Sequence, residues 1–176
     1  MLDDIAVLGS PQAGALLVLV QRGLEEIYSR RNAKRLLAAG AVETGRGYYP
    51  VMVIGNLSWL AAVFFLLPAD APVFVLPLCL YLVLQVGRYW VIVTLGQYWT
   101  HRIITLAAAP LVRSGPYRYF AHPNYAIMML ELALLPMVFG GWALGITMAA
   151  LYAPSLLYKI MREDRALASN ARTAAS

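Results

Sequence analysis

From residue 50 onward, the chain alternates between long apolar stretches and short polar ones. Residues 50–67, 73–95 and 142–161 are each close to the roughly 20 apolar residues that an α-helix needs to cross a bilayer. Residues 124–139 form a shorter stretch that ends at Gly140-Gly141, a dipeptide that suits a tight turn. The pattern therefore predicts an all-α membrane bundle whose last two helices form a helical hairpin.

The first apolar stretch, at about residues 4–27, is less regular. It is apolar as far as Val20 and then meets Arg22, Glu25 and Glu26. Two interpretations stay open, because such a segment can span the membrane or lie in its interface. We predict a span here, which gives a bundle of about five transmembrane helices.

The composition also indicates a membrane protein. Of the 176 residues, 61% are hydrophobic and 13% are charged, about half the charged share of an average globular protein. The mean hydropathy is +0.65. The length is that of a single domain, residues 1–176. Although the net charge is +5, the basic residues lie between apolar stretches rather than in one patch, so we expect no nucleic-acid partner.

Several other classes of protein are disfavoured by single residue types. Cys79 is the only cysteine, which excludes an internal disulfide, and with two histidines the chain has no recognisable metal-ligand cluster. Asp3 and Asp4 stand where a cleaved signal peptide would carry basic residues, so we expect no signal peptide.

The basic residues are concentrated on one predicted side of the membrane. If the first span enters from outside, twelve of the fourteen lie on the cytosolic side: Arg30, Arg31, Lys34, Arg35, Arg46, Arg102, Arg113, Arg118, Lys159, Arg162, Arg165 and Arg172. The outer segments hold Asp3, Asp4 and Asp70 and no basic residue. By the positive-inside rule, we expect an integral, multi-pass protein of a bacterial inner membrane, with an outer N-terminus and a cytosolic C-terminus.

Two ionisable residues lie within the predicted spans, Arg88 and Glu131. Each is eight residues from the cytosolic end of its span, on the order of 12 Å inside at about 1.5 Å per residue. Because ionisable groups in a membrane face the bundle interior and pair or line a site, we predict an Arg88–Glu131 pair. Gln85 and Asn56 are candidates to join it or to link helices. The pair is either a structural device or part of the catalytic group, to which we assign both residues.

The segment 113–125 is rich in polar and aromatic residues. Its turn dipeptide Gly115-Pro116 and Pro123 frame a loop that leads into the next helix. The tyrosine rings are candidates to stack on a planar ligand or to anchor the interface: Tyr117, Tyr119 and Tyr125. His122 and Tyr125 are three residues apart at a helix start and share a face. A histidine in that position either forms hydrogen bonds or acts in catalysis.

The last predicted helix continues into the charged sequence "YKIMREDRAL". A solvated helix end is the simplest interpretation of its five charged residues, Lys159, Arg162, Glu163, Asp164 and Arg165. The helix nevertheless emerges on the same predicted side as the segment 113–125. We therefore expect the two segments to meet.

At "GPYRYFAHPNY", followed downstream by "REDRAL", the chain resembles the isoprenylcysteine carboxyl methyltransferase family of integral membrane enzymes. The family pattern is Arg-His-Pro-x-Tyr-x-Gly at the start of a membrane helix, a helical hairpin, and an acidic pair where the last helix leaves the membrane. His122, Pro123 and Tyr125 match it, and Glu163-Asp164 stands in for the acidic pair. The likeness covers about residues 96–167.

The chain departs from the family pattern at two positions. Ala121 stands where the pattern has Arg, which removes a partner for a carboxylate or phosphate, and Arg118 lies nearby as a replacement. Ile127 stands where the pattern has Gly, so close helix packing or ligand approach there needs more room.

The resemblance implies a methyltransferase that uses S-adenosylmethionine and acts on a lipophilic acceptor, a carboxylate or hydroxyl, at the cytosolic face. The cofactor-binding part is then about residues 96–167. The implied cofactor-binding residues are Tyr117, Arg118, His122, Pro123, Tyr125 and Glu163. Arg162 is implied to hold an anionic acceptor and joins Arg88 and Glu131 in the candidate catalytic group. Direct methyl transfer needs alignment of the reactants and exclusion of water, with no metal or covalent nucleophile.

Two other functions stay open. One is a membrane reductase of the sterol-reductase type that uses NADPH. The other is a non-enzymatic scaffold or transporter in which Arg88 and Glu131 line a transport path. Binding of the two nucleotides separates these hypotheses from methyl transfer.

Overall fold

The computed structural model describes residues 8–106 and 112–173, with side chains described as far as Glu163 and at Arg165. Within these residues the chain forms five α-helices: α1 Ser10–Ala38, α2 Tyr48–Leu66, α3 Val75–Leu95, α4 Pro123–Val138 and α5 Trp142–Thr173. Two three-residue strands, β1 Val42–Thr44 and β2 Ile103–Thr105, pair antiparallel with Glu43 opposite Ile104. Short 3₁₀ helices occupy Gly96–Tyr98 and Gly115–Arg118.

The helices confirm the predicted all-α membrane bundle and its C-terminal hairpin. Three segments are long and apolar enough to cross a membrane, Tyr48–Leu66, Val75–Tyr98 and Trp142–Glu163, and Pro123–Val138 is a shorter apolar helix. α4 begins at Pro123 because the proline ring suits the first turn of a helix and its missing N–H is not needed there. α5 runs on to Thr173, well beyond its predicted apolar part.

α4 lies at the centre of the bundle and packs against both α3 and α5, and α1 packs against α2. The core between α2 and α4 contains the fully buried Trp59, whose indole N–H donates to the carbonyl of Leu132 at 3.1 Å. Val63 of α2 and Val138 of α4 are almost completely buried in the same cluster. Asn56 of α2 donates to the Tyr152 hydroxyl of α5 at 3.2 Å, so it links helices and does not join the Arg88–Glu131 pair.

α1 has its polar side toward the bundle and its apolar side outward. The inward stripe recurs every three or four residues and consists of Gln21, Glu25, Ser29 and Asn32. The large outward residues are exposed: Leu17, Val20, Leu24 and Ile27. A helix with exposed leucines and a buried polar stripe suits a lipid environment. α1 therefore fits a membrane helix despite its charges, and the fifth span stays a prediction, as does the sidedness; Asp3 and Asp4 lie outside the described residues.

The polar stripe of α1 binds the end of α3 and the segment that follows it. The Asn32 amide donates to the carbonyls of Gly96 at 3.0 Å and Trp99 at 2.9 Å. The Ser29 hydroxyl accepts a hydrogen bond from the backbone N–H of His101 at 2.8 Å. These bonds fix the segment 96–101 across one end of the bundle. We call this end, where α1 and α3 end and α2 and α4 begin, the basic end.

The predicted Arg88–Glu131 pair is confirmed and is part of a larger ion network. Arg88 forms two hydrogen bonds with the Glu25 carboxylate, at 2.7 and 2.6 Å, and donates to Glu131 at 3.0 Å. Arg22 donates to Glu131 at 2.5 Å and to Glu25 at 2.9 Å. Gln85, one of the two candidates to join the pair or to link helices, donates to the other Glu131 oxygen at 2.7 Å. We call these residues of α1, α3 and α4 the buried network.

The buried network satisfies its members almost completely. Two arginines face two glutamates, so its formal charge is balanced, and the Glu131 side chain is 1% exposed. Isolated charges are expensive in an apolar medium, whereas paired and hydrogen-bonded ones are tolerated. The network therefore fixes the register of α1, α3 and α4 relative to one another.

We expect Glu131→Ala to destabilise the protein strongly, by about 3–5 kcal/mol, because the variant leaves two buried guanidinium groups short of an acceptor. Thermal unfolding in detergent, followed by the loss of monodisperse protein, measures the effect. Glu26→Ala is the matched control, since the ion-pair partner of Glu26, Arg30, is 66% exposed and solvated.

A double variant separates charge imbalance from loss of packing. Arg88→Met with Glu131→Leu leaves Arg22 paired with Glu25 and removes one charge of each sign. We expect it to melt closer to wild type than Glu131→Ala does. If both variants melt at the temperature of the Glu26→Ala control, the buried network does not hold the helices together.

Candidate functional site

The segment after residue 112 and the last turns of α5 meet at the basic end, as the sequence predicts. The Tyr125 hydroxyl, in the first turn of α4, donates a short hydrogen bond to the Glu163 carboxylate of α5. Tyr125 is buried. This bond joins the two parts of the chain that were expected to share a site.

Tyr125 lies at the centre of this site. Its ring stacks with the ring of His122, with centroids 5.4 Å apart and an interplanar angle of 21°. The Lys159 ammonium lies 4.9 Å from the centroid of the Tyr125 ring and 5.6 Å from that of Tyr48. Electron-rich ring faces of this kind favour cations. The site thus presents aromatic rings that already contact a positive charge.

The turn before α4 is held against α3 by Gly115. Its φ is +56°, and a Cβ at this position would lie 2.6 Å from Oγ1 of Thr94, so a larger residue is excluded. The turn places Tyr117 against the buried Val91 and Trp99. Burial, and to a smaller extent the charge of Glu163, raises the pKa of Tyr117 well above its usual value. The hydroxyl is therefore protonated at neutral pH and available as a donor.

Other predicted site residues lie further out. Arg118 is exposed, with its guanidinium 6.0 Å from the centroid of the Tyr119 ring. None of the described hydrogen bonds or ion pairs joins it to Glu163 or Tyr125. The Arg162 guanidinium lies 5.8 Å from the Tyr158 ring, and its buried Nε has no hydrogen-bond partner in the described part of the chain. The side chain of Asp164 lies outside the described residues.

Ile127, one of the two departures from the family pattern, packs against Gly87 of the neighbouring helix α3. Ile127 is buried beside Val91 and Trp99. A Cβ on Gly87 of α3 would approach Cδ1 of Ile127 to 3.4 Å. Ile127 thus packs against Gly87 at an ordinary contact distance, and α3 and α4 still pack closely.

The charged sequence around Lys159 predicts a solvated helix end, but Lys159 is among the most buried polar residues that the structure describes, at 4% exposure. Its ammonium donates to the carbonyl of His101 at 3.2 Å. A helical spacing signal was present, since Tyr152, Leu156 and Lys159 follow one another at intervals of four and three residues and all are buried. That face of α5 continues to Glu163.

His101 was also not predicted. Its ring packs edge-on against Trp99 with centroids 4.7 Å apart, and Nε2 lies 4.0 Å from the Glu26 carboxylate. Burial, followed by the nearby charges of Arg88 and Lys159, lowers the pKa of His101 to about 3. The ring is thus neutral at physiological pH and lies between the buried network and the site.

The site and the buried network are separate clusters. Arg88 and Glu131 contact Arg22, Glu25 and Gln85, and none of the described hydrogen bonds joins them to Tyr125 or Glu163. The described residues contain no group of His, Cys, Asp or Glu side chains arranged to hold a metal ion. The site therefore offers hydrogen bonds, aromatic faces and charges.

Comparisons with known proteins agree with the geometry. A family model described as the isoprenylcysteine carboxyl methyltransferase (ICMT) family matches residues 75–169, from the first residue of α3 to the last turns of α5. The chain is 30% identical over 155 residues to the uncharacterized protein YpbQ of Bacillus subtilis (strain 168), which covers 86% of this chain and 92% of that protein. No solved structure gives a significant match.

The low pKa of His101 predicts a pH-dependent stability. The pKa of His101 is about 3 in the folded protein and about 6.5 in the unfolded chain, so the folded state binds fewer protons between these values. The contribution of His101 to the free energy of unfolding is therefore complete above pH 6.5 and is lost as the pH falls toward 3. We expect the melting temperature to fall less between pH 7 and pH 4 in His101→Gln than in the wild-type protein. His122→Gln, which removes the chain's other histidine, is the matched control. An equal change in both variants would contradict the assignment to His101.

Proposed function

This chain belongs to the isoprenylcysteine carboxyl methyltransferase family of membrane methyltransferases, and we propose that it transfers a methyl group from S-adenosylmethionine to a lipophilic acceptor. The hydrogen bond between Tyr125 and Glu163 carries the proposal. It joins the start of α4 to the charged end of α5, which are the two segments with the family pattern. Both lie within the matched residues.

The chemistry of the site residues fits the cofactor. A sulfonium is a cation, and the Tyr125 and Tyr48 rings already contact the Lys159 ammonium. Glu163 is a carboxylate that accepts hydrogen bonds, as its contact with Tyr125 shows, and it suits the ribose hydroxyls or the amino group. We assign cofactor binding to Tyr117, Arg118, His122, Pro123, Tyr125 and Glu163.

When bound, S-adenosylmethionine supplies the methyl group, which forms a bond to the acceptor oxygen as the C–S bond breaks and its electron pair stays on sulfur. The protein has to align the reactants and exclude water. We assign the exclusion of water to the buried Tyr125 and to the segment 96–101, both of which Lys159 contacts. Arg162, whose buried Nε is unpaired among the described residues, is the candidate partner for an anionic acceptor oxygen.

The remaining parts of the proposal concern sidedness and the catalytic group. The basic end carries most of the basic residues, so we place it in the cytosol. We propose that the acceptor, a carboxylate or a hydroxyl, enters the site from the membrane. Arg88 and Glu131 stay in the candidate catalytic group as predictions. Their contacts within the buried network favour a positioning role, in which they hold α3 and α4 in register beneath the site.

Calorimetric titration of the purified protein with S-adenosylmethionine and, separately, NADPH tests the proposal. We expect binding of S-adenosylmethionine, and a decrease of about 10-fold or more in Tyr125→Phe, because a hydrogen bond to a charged group contributes about 1.5–3 kcal/mol. Tyr119→Phe also removes one tyrosine hydroxyl, but from an exposed ring, and is the matched control.

Binding of NADPH without binding of S-adenosylmethionine would overturn the proposal in favour of a reductase, and binding of neither would favour a scaffold or transporter. Wild-type affinity in Tyr125→Phe would remove Tyr125 and Glu163 from the site. Profiling methylated lipids in cells with and without the protein then identifies the acceptor.

A further inference from the structure

Lys159 lies where four parts of the fold meet. Its ammonium donates to the carbonyl of His101 in the segment after α3 and contacts the rings of Tyr48 in α2 and Tyr125 in α4, while its backbone belongs to α5. It is 4% exposed. Few lysines are buried to this degree without a charged partner.

No carboxylate among the described side chains is a direct partner of the ammonium. Lys159 forms none of the ion pairs found among the described side chains. The acid nearest to it along α5, Glu163, is one turn away and binds the Tyr125 hydroxyl instead. The single hydrogen bond to His101 uses one of the three N–H donors of the ammonium.

The buried network does not neutralise this charge, because its two arginines and two glutamates already balance one another. On the next turn of α5, Arg162 adds a second cation on a neighbouring face, with a buried Nε that lacks a partner among the described residues. Buried charge without compensation is costly. Among the side chains that the structure describes, the site thus carries Lys159 and Arg162 against Glu163, and an anionic ligand would compensate this positive excess.

We propose that Lys159 is the binding residue for a carboxylate at this site. The inference rests on the proposed function, because it takes that carboxylate from one of the two reactants. The amino-acid end of S-adenosylmethionine carries one, and an acceptor with a carboxylate carries another. Both offer the same chemistry to Lys159, a charge-assisted hydrogen bond between an ammonium and an anionic oxygen.

A purely structural role is the alternative. In that case Lys159 would only hold the segment 96–101 against α5 through the His101 carbonyl. Its replacement would then lower thermal stability and would change the affinity for all ligands alike. A carboxylate-binding role instead changes affinity selectively, and this difference is the basis of the test.

The test measures binding of two pairs of probes to the full chain in detergent or nanodiscs. S-adenosylmethionine is compared with its decarboxylated form, which keeps the sulfonium, and palmitate is compared with hexadecanol. The variants are Lys159→Met and Lys159→Arg, and Lys34→Met is the matched control, since Lys34 is the chain's other lysine and is exposed.

We expect Lys159→Met to lose about 10-fold or more in affinity for the carboxylate-bearing member of one pair and to bind the other member as the wild type does. Lys159→Arg should keep most of the wild-type affinity for that probe, and Lys34→Met should keep all of it. Loss in the first pair assigns the carboxylate of the methyl donor, and loss in the second assigns the carboxylate of the acceptor.

Equal affinities for both members of each pair in the wild-type protein would overturn the inference, and this measurement does not require a variant to fold. An equal loss for all probes in Lys159→Met would also overturn it and leave a structural role. If the wild type binds palmitate through Lys159 but neither form of S-adenosylmethionine, the carboxylate site stands and the proposed methyl transfer fails. If the wild type binds S-adenosylmethionine and its decarboxylated form equally tightly, and does not distinguish palmitate from hexadecanol, the proposed methyl transfer stands and the carboxylate site is refuted.

Discussion

The bidentate ion pair between Arg88 and the Glu25 carboxylate is the interaction on which the bundle depends. In an apolar solvent no water replaces a lost partner, so an ionised group inside the bundle must be paired by other side chains. Arg88 uses all three of its donor nitrogens on Glu25 and Glu131, and Arg22 completes the balance. The charges of α1 therefore require that it turn its polar stripe inward, and its exposed leucines follow from the same requirement.

The segment 96–101 connects this network to the site. Asn32 and Ser29 of α1 fix its backbone from one side, and Lys159 of α5 binds the His101 carbonyl from the other. A segment held by both α1 and α5 cannot move without breaking polar contacts that are buried or partly buried. Lys159, which binds this segment, also contacts the Tyr125 ring, so the surroundings of Tyr125 depend on contacts made by α1 and α5.

The helices from residue 48 onward were predictable because the bilayer imposes a length and a composition that can be counted along the chain. The Arg88–Glu131 pair was predictable from equal depth in two spans. The roles of Arg22 and Glu25 were not, because charges after an apolar run look like the end of a span when their partners on α3 and α4 are unknown. Lys159 was misjudged for a related reason: the charges that follow it resemble a solvated helix end. Strands of three residues, such as Val42–Thr44, leave no usable pattern at all.

The buried network and the site around Tyr125 differ in how far their charges are paired. This difference favours a structural role for the buried network and a binding role for the site. The buried network is neutral, and all of its charged donor and acceptor atoms except the Arg22 Nε have partners among the described residues. Loss of any one of its charged side chains therefore leaves an unpaired charge. At the basic end, Lys159 forms none of the described ion pairs and Arg162 has a buried Nε without a partner among the described residues, while Glu163 of the same helix accepts a hydrogen bond from Tyr125. Electrostatic catalysis requires charges that are held in place before the reactants arrive. The fold balances its charges inside the bundle and leaves cations beside the Tyr125 and Tyr48 rings at the basic end. These unbalanced groups are why we propose that the methyl donor and the acceptor meet there and not in the buried network.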